Sequence, residues 1–439
     1  MVLRFTIENM FSFQGVATLD LTAVRGCMER KDEATFPVCS TANAARALKV
    51  AALYGANASG KSNLLRAFHL FVEFVRRSAG IGSANARVPV SPFLHVTNWE
   101  GAPPPSRMEI VLVDDGVQYR YGFSATGIQV TEEWLYRKEL ARKYAREIEL
   151  FVRYQQGDRD VIEPSPAFEK ADRVIVEKTR RNALFLSTAS MLAVPEAMRI
   201  VQNCFDRMTV FTADNDSMNV LTSKMIVENR FRDQILSFLR HTDETIDRIE
   251  IEKKDVITDF TAMIGKSVGD AFVLEPKVYL KNPDGGSYGQ ALPLESISSR
   301  GTFKAFRLAG PMFEALGTGG VMLVDELDCR LHPMLVRQII RMFNSKVSNP
   351  HDAQLIFNTH DTNLLNDKVY SEDRKKNENL LRRDQIYFVE RDGDYASHLY
   401  SLIEFAKGGK TIRADASYEK DYLNGLYGSI PYIGNLWET

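Results

Sequence analysis

The 439-residue sequence predicts an α/β protein, and three stretches carry that prediction. A short apolar run, Val50 to Tyr54, leads into a glycine-rich turn and then a helix with Leu64, Phe68, Phe71 and Val75 at helical spacing. Two further apolar runs, Val321-Met322-Leu323-Val324 and Leu355-Ile356-Phe357, end in acidic or polar residues and alternate with helical patterns, as buried strands do. Between the first of these stretches and the other two, the chain shows period-two alternation followed by helical spacing. This predicts a mixed sheet with helices plus an inserted α+β subdomain.

Each element follows from local pattern. Phe5 and Ile7 alternate with polar neighbours, Asn9 and Ser12 fall in a turn, and Ala17, Leu19 and Leu21 resume the alternation. An antiparallel strand pair is expected there. The segment from Gly80 to Pro105 is rich in Gly, Ala, Ser and Pro and reads as a connection. From Met108 to Tyr136, Val111 and Val113, then Val117, Tyr119, Tyr121 and Phe123, then Ile128 and Val130 predict a small meander. Asp115-Gly116 and Thr126-Gly127 are its turns. Residues 166 to 245 read as mostly helical, and Ile249 to Val273 as mixed. From Ser298 the pattern predicts a helix to Leu316, a strand at 321–324, a helix at 334–344, and strands at 354–358 and 385–389. In the tail, Tyr418, Lys420, Tyr422 and Tyr427 either offer exposed rings to a partner or pack onto the chain's own sheet. There is no internal repeat and no heptad stretch long enough for a coiled coil.

Composition narrows the function classes. Hydrophobic residues make up 44% and charged residues 26%, enough apolar side chain for a sizeable core. Lys plus Arg is 55 against 57 for Asp plus Glu, a net charge of -2, which excludes a generally basic nucleic-acid-coating protein but not a local basic patch. No apolar run approaches the about 20 residues of a membrane span. The N-terminus lacks the charged head and apolar middle of a signal peptide. Cys27, Cys39, Cys204 and Cys329 are scattered without a CxxC, so neither a disulfide framework nor a zinc knuckle is expected. These features predict a reducing, cytoplasmic setting and no membrane partner.

Four motifs carry chemistry. Gly55 to Ser62 (GANASGKS) fits the P-loop pattern GxxxxGK[ST], with the strand before and helix after that its mechanism requires. Its backbone N–H groups would cradle phosphate, Lys61 would reach the β- and γ-phosphates, and Ser62 would ligate Mg²⁺. Asp325-Glu326 follows a buried strand at the carboxyl edge where α/β sheets bind ligands. Asp325 would hold Mg²⁺ through water, and Glu326 would orient or deprotonate the attacking water. His360 ends QLIFNTH; it either hydrogen-bonds the γ-phosphate or caps a helix. The turn ESISSRGTF opens an amphipathic helix. Ser298 or Ser299 there is either a plain N-cap or part of an anion site for phosphate held by another copy of the chain. Spacing alone does not separate the two.

Taken together, these residues resemble the ABC-type ATPases, in the branch of double-strand-break repair ATPases, SMC proteins and OLD proteins. They are more closely similar to bacterial abortive-infection ATPases of the AAA family. The resemblance rests on FTIENMFSF, the P-loop with Asn57, the Ser-Ser-x-Gly-Thr turn, DELD followed by LHP, QLIFNTHDTNLL, LRRDQIYFVE and YEKDYLNGLYGSIP. The region from 85 to 285 carries fewer matches. The family implies an ABC-type head that dimerises head to tail with ATP and Mg²⁺ between the P-loop of one chain and the signature turn of the other. Carried over, Gly55, Asn57, Ser59, Gly60, Lys61 and Ser62 contact nucleotide, and Ser62 and Asp325 serve the metal. Glu326 is the catalytic glutamate, His360 the switch histidine, and Ser299, Gly301 and Thr302 the signature turn. Arg300 departs from the pattern, which has a small residue there, and no glutamine between 63 and 290 has a persuasive Q-loop context. The implied division is 1–84 and 286–439 for the two parts of the head, with 85–285 inserted and too short for a long coiled coil.

The resemblance implies a homodimer or larger homo-oligomer that controls a separate effector in an anti-phage, abortive-infection system. The effector would be a Toprim-type or other nuclease in trans, and the trigger DNA or a phage product. A repair-type DNA-binding ATPase is the alternative. Its phosphate contacts would come from Arg137, Lys138, Arg142, Lys143, Arg146 and the pair Arg180-Arg181. Glu139, Glu147 and Glu149 interleave with the first cluster, as on a solvated helix face. A third reading is a scaffold that binds ATP and barely turns it over.

Overall fold

The alternation at the N-terminus becomes strand β1 (Val2–Glu8), antiparallel to β2 (Ala17–Asp20). The computed structural model describes residues 1–24, 27, 34–38, 45–80, 83, 85–93, 103–142, 144–211, 217–255, 272–365, 380–407, 410–412 and 416–430. Cys39, Lys143 and most of the stretch 249–273 beyond Asp255 lie outside them. A short hairpin, β3 (Thr35–Pro37) and β4 (Arg46–Leu48), precedes β5 (Val50–Tyr54), every residue of which is buried. The meander is longer than expected. It comprises β6 (Ser106–Asp114), β7 (Val117–Ala125), β8 (Val130–Glu139), β9 (Ile148–Gln156) and β10 (Arg159–Pro164). With β1 and β2 it forms one seven-stranded antiparallel sheet in the order β10-β9-β8-β7-β6-β1-β2. Ile128, expected in a strand, sits in the β7–β8 turn and is 74% exposed.

The second sheet is the α/β core. It adds β11 (Met208–Phe211), β15 (Val321–Val324), β16 (Gln354–Asn358), β17 (Ile386–Arg391) and β18 (Ser397–Ser401), in the order β11-β15-β16-β5-β17-β18. All pairings are parallel except that of the edge strand β18. A hairpin of β12 (Ile246–Asp255) and β13 (Phe272–Leu280) with the short β14 (Leu292–Pro293) makes a third sheet.

Helix α1 (Lys61–Arg77) explains how the two large sheets meet. Its buried face, Leu64, Phe68, Phe71 and Val75, is the apolar stripe read from the sequence. Phe68 and Phe71 pack on Phe5 of β1 at 4.4 and 5.6 Å, and Phe71 stacks on Phe123 of β7 at 5.3 Å. The same cluster takes in Ala51 and Leu53 of β5 and Leu323 of β15. Alternate residues Val50, Ala52 and Tyr54 face the other side, where a second core forms. Burial on both faces is why these strands read as unbroken apolar runs.

Helices α2 (Arg173–Lys178), α3 (Phe185–Met191) and α4 (Pro195–Ile200) pack with the antiparallel sheet. Buried Glu133 of β8 fastens α3, accepting from the N–H groups of Phe185 (2.7 Å) and Leu186 (3.0 Å) and from Tyr121 (2.9 Å). Helices α5 (Ser217–Val227), α6 (Arg232–Thr242), α7 (Leu294–Ile297), α8 (Arg300–Thr318) and α9 (Pro333–Asn344) cover the other face of the core sheet, with α10 (Tyr418–Leu423) beside them.

Two expectations change. Strand β11 lies in a segment that read as helical; four residues are too few to show a period of their own. The β1–β6 and β11–β15 pairings also cross the boundaries expected near 84 and 285. Segment 85–285 is therefore woven into both large sheets. The tail takes the second of its two readings: Tyr418, Tyr422 and Tyr427 are buried, and the rings of Tyr422 and Tyr427 lie 5.4 and 5.5 Å from Phe388 of β17.

Candidate functional site

Strand β16 lies between β5 and β15, so the carboxyl ends of three neighbouring parallel strands converge. The loop after β5 supplies Gly55 to Gly60. Gly60 has φ +115°, and a Cβ there would stand 2.4 Å from Ser397 Oγ and 2.7 Å from Ser12 Oγ. Only glycine allows this approach. A Cβ on Gly55 would lie 2.3 Å from the Val389 carbonyl oxygen. Ser397 also donates to the Ser59 carbonyl at 2.6 Å, and Asn63 donates to Ser12 Oγ at 2.9 Å, so the loop is braced from outside. The amino end of α1 has no side-chain cap, and the buried Ser59 hydroxyl has no hydrogen-bond partner among the described residues. Free N–H groups and an unpaired hydroxyl in a glycine cradle suit a phosphate.

Lys61 is buried, and its ammonium donates to the carbonyls of Gly55 (2.8 Å) and Ala56 (2.9 Å). Burial lowers its pKa to about 8, against the opposing pull of Asp325, Glu326 and Asp328. Ser62 donates to Asp325 Oδ1 at 2.8 Å. This hydroxyl–carboxylate pair is the oxygen-only donor set a hard divalent cation takes. Glu326 follows in a left-handed turn (φ +52°) and is exposed.

Asn57, Ser59, Gly60, Lys61, Ser62, Glu326 and His360 line one cleft of about 490 Å³, together with Ser12, Asn358 and Arg391. His360 is exposed, and its backbone N–H donates to Asp328 at 3.2 Å. Partial desolvation and the nearby Lys61 charge depress its imidazole pKa. It is not a cap: Asp361 accepts from Asn363 in the turn that follows, and the capping histidine is His332, whose Nδ1 accepts from Met334 at 3.2 Å.

Ser299 caps α8, accepting from the Thr302 N–H at 3.0 Å, whereas the Ser298 hydroxyl bonds back to Leu294. Thr302 in turn donates to Asp243 at 3.2 Å. Ser299, Gly301 and Thr302 do not reach the P-loop cleft. They line a separate cavity of about 450 Å³ with Arg330 and His332. Arg300 is exposed as the first residue of the helix.

Two residues escaped the sequence reading. Asn358, the last residue of β16, donates to Asp325 Oδ1 and to Ser62 Oγ (3.3 Å) and accepts from the Glu326 N–H. Buried Lys304 of α8 donates to the carbonyls of Glu326, Leu327 (3.3 Å) and Cys329 (2.8 Å). A charged residue on the apolar face of an amphipathic helix was the available signal for the latter.

The described residues of the basic cluster do not lie on a helix. Arg137 and Lys138 are on β8 and Arg142 is in the turn after it. Arg137 pairs with Glu196 at 3.0 Å and Arg142 with Glu139 at 2.7 Å. Arg180 and Arg181 donate to the carbonyls of Ala79 (2.9 Å) and Asp158 (2.8 Å). Two of these charges are therefore met by carboxylates of the chain, and two more guanidinium groups are tied to backbone carbonyls. Glu and Arg spaced for helical pairs serve turns and cross-element contacts equally well.

The strand–loop–helix cradle at the carboxyl end of an interior strand of a mixed sheet is the architecture of a P-loop NTPase AAA domain. The family model described as an AAA domain, putative AbiEii toxin, type IV toxin–antitoxin system matches residues 50–170 and 221–366, more than half of the chain, which therefore belongs to that family. No curated protein matches the chain. No helix among the described residues is long and apolar enough to cross a membrane.

Proposed function

We propose that the chain is an ATP-hydrolysing, ABC-type switch of an anti-phage system, related to the OLD and SMC branch. The observation that carries this reading is the single cleft shared by Lys61, Ser62 and Glu326, with Asp325 bonded to Ser62. In this reading Lys61 exchanges its two loop carbonyls for phosphate oxygens, and the N–H groups at the amino end of α1 bind the same anion. Ser62 and Asp325 hold Mg²⁺, which supplies charge neutralisation to the transferred phosphoryl group. Glu326 orients the attacking water and accepts its proton, and His360 donates to the γ-phosphate side.

The separate cavity around Ser299, Gly301 and Thr302 supports a site completed by a second copy of the chain. Contacts made only in the closed dimer would let ATP shift the population towards it. The dimer would then hold or release an effector in trans, a nuclease of the Toprim or another class, after DNA or a phage product is sensed. The family's toxin–antitoxin description fits such a defence role, in the cytoplasm.

The test is steady-state turnover of Mg-ATP by the wild type, Lys61→Ala and Glu326→Gln. Slow wild-type turnover is expected, with nucleotide binding lost in the first variant and retained in the second. No turnover by the wild type, alone or with DNA present, would leave only the nucleotide-bound scaffold.

A further inference from the structure

Helix α8 touches the loop after β15 at two places. A Cβ on Gly301 would stand 2.5 Å from the Arg330 carbonyl oxygen, so the first turn of the helix lies directly against that backbone. Further along, the Lys304 ammonium meets the carbonyl oxygens of Glu326, Leu327 and Cys329. An ammonium has three donors, and here all three find acceptors in one short loop.

From this geometry we propose that Lys304 is a positioning residue for ATP hydrolysis. It grips the backbone of the loop that carries Glu326, and so ties the placement of that carboxylate to the helix that opens with Ser299, Gly301 and Thr302. The inference rests on the function proposed above.

Three observations argue for it over simple packing. Lys304 is 8% exposed among the buried residues Ala305, Phe306 and Leu308, where an apolar side chain would be cheaper to desolvate. The charge meets no carboxylate within hydrogen-bond distance among the described residues; burial lowers its pKa, and only the more distant Cys329, Asp328 and Glu326 oppose that. Glu326 itself has φ +52°, a conformation that a non-glycine residue holds only when its surroundings impose it. Those surroundings are Asn358, bonded to the Glu326 N–H, and Lys304, bonded to the Glu326 carbonyl. The two peptides that flank the Glu326 Cα are thus held one by β16 and the other by α8. A shift of the α8 amino end, such as closure on phosphate in a second copy would bring, reaches Glu326 through this bond.

The experiment compares the full-length wild type with Lys304→Met and Lys304→Arg, reading kcat, KM and binding of a non-hydrolysable ATP analogue. Lys304→Met is expected to lower kcat by about 10- to 100-fold while KM and analogue binding stay within about twofold. Lys304→Arg, which keeps charge and donors, is expected to recover part of that loss. Should Lys304→Met not fold, Lys304→Gln is read in the same way. Unchanged kcat, or kcat and analogue binding falling together, would overturn the inference. A wild type that binds ATP without turnover would instead overturn the hydrolytic function, and the inference with it.

Discussion

Ser62 Oγ lies 2.8 Å from Asp325 Oδ1, although 263 positions separate the two residues. The strand between β5 and β15 is β16, and its last residue, Asn358, bonds to both partners. The hydroxyl and the carboxylate are therefore aimed by a neutral amide, which would stand behind the metal site proposed above. Removing such an outer partner generally costs about 10- to 100-fold in metal affinity or activity. Asn358→Ala should raise the Mg²⁺ concentration needed for half-maximal turnover by that factor and leave metal-free nucleotide binding near normal. Titrating Mg²⁺ at saturating ATP checks this.

Lys61 sets a pH dependence. With its pKa lowered to about 8 from 10.5, it begins to lose charge within reach of ordinary assay pH. Phosphate favours the charged form, so ATP affinity should fall as pH rises through about 8, and binding near that pH should take up protons. Stability runs the other way. Between about 8 and 10.5 the unfolded chain holds this proton and the folded one does not, so the nucleotide-free protein gains stability from this group as pH rises. Calorimetry in two buffers of different ionisation enthalpy measures the uptake.

The parts of this molecule written in one local stretch were legible in the sequence. Strand β5, its glycine loop and the stripe of α1 announce themselves within 26 residues, from Val50 to Val75. Asp325 and Glu326 were readable because a buried strand delivers them. What stayed hidden depends on contacts between distant segments. Asn358 and Lys304 act through neighbours 33 and 22 positions away, and nothing in their own surroundings names those neighbours. Strand β11 owes its place to the parallel pairing with β15 and is too short to signal it. The seven-stranded sheet was half visible. Its meander alternates clearly, but that β6 continues onto β1 is a matter of tertiary pairing.

The aromatic tail provides a test of packing. Tyr427 is fully buried, with Phe388 and Phe405 at 5.5 and 5.4 Å and its hydroxyl 3.1 Å from Asp421. Tyr427→Ala should cost about 3–5 kcal/mol, as removal of a buried aromatic side chain usually does. Urea unfolding measures it. A ring displayed for a partner would leave the unfolding midpoint unchanged.

In the function proposed above, ATP assembles this chain through a site completed by a second copy. The most direct test is mass in solution by light scattering for Glu326→Gln, with and without Mg-ATP, beside Lys61→Ala. ATP is expected to drive Glu326→Gln into a dimer or larger species while Lys61→Ala stays as it was. Masses that do not respond to ATP in either variant would contradict it.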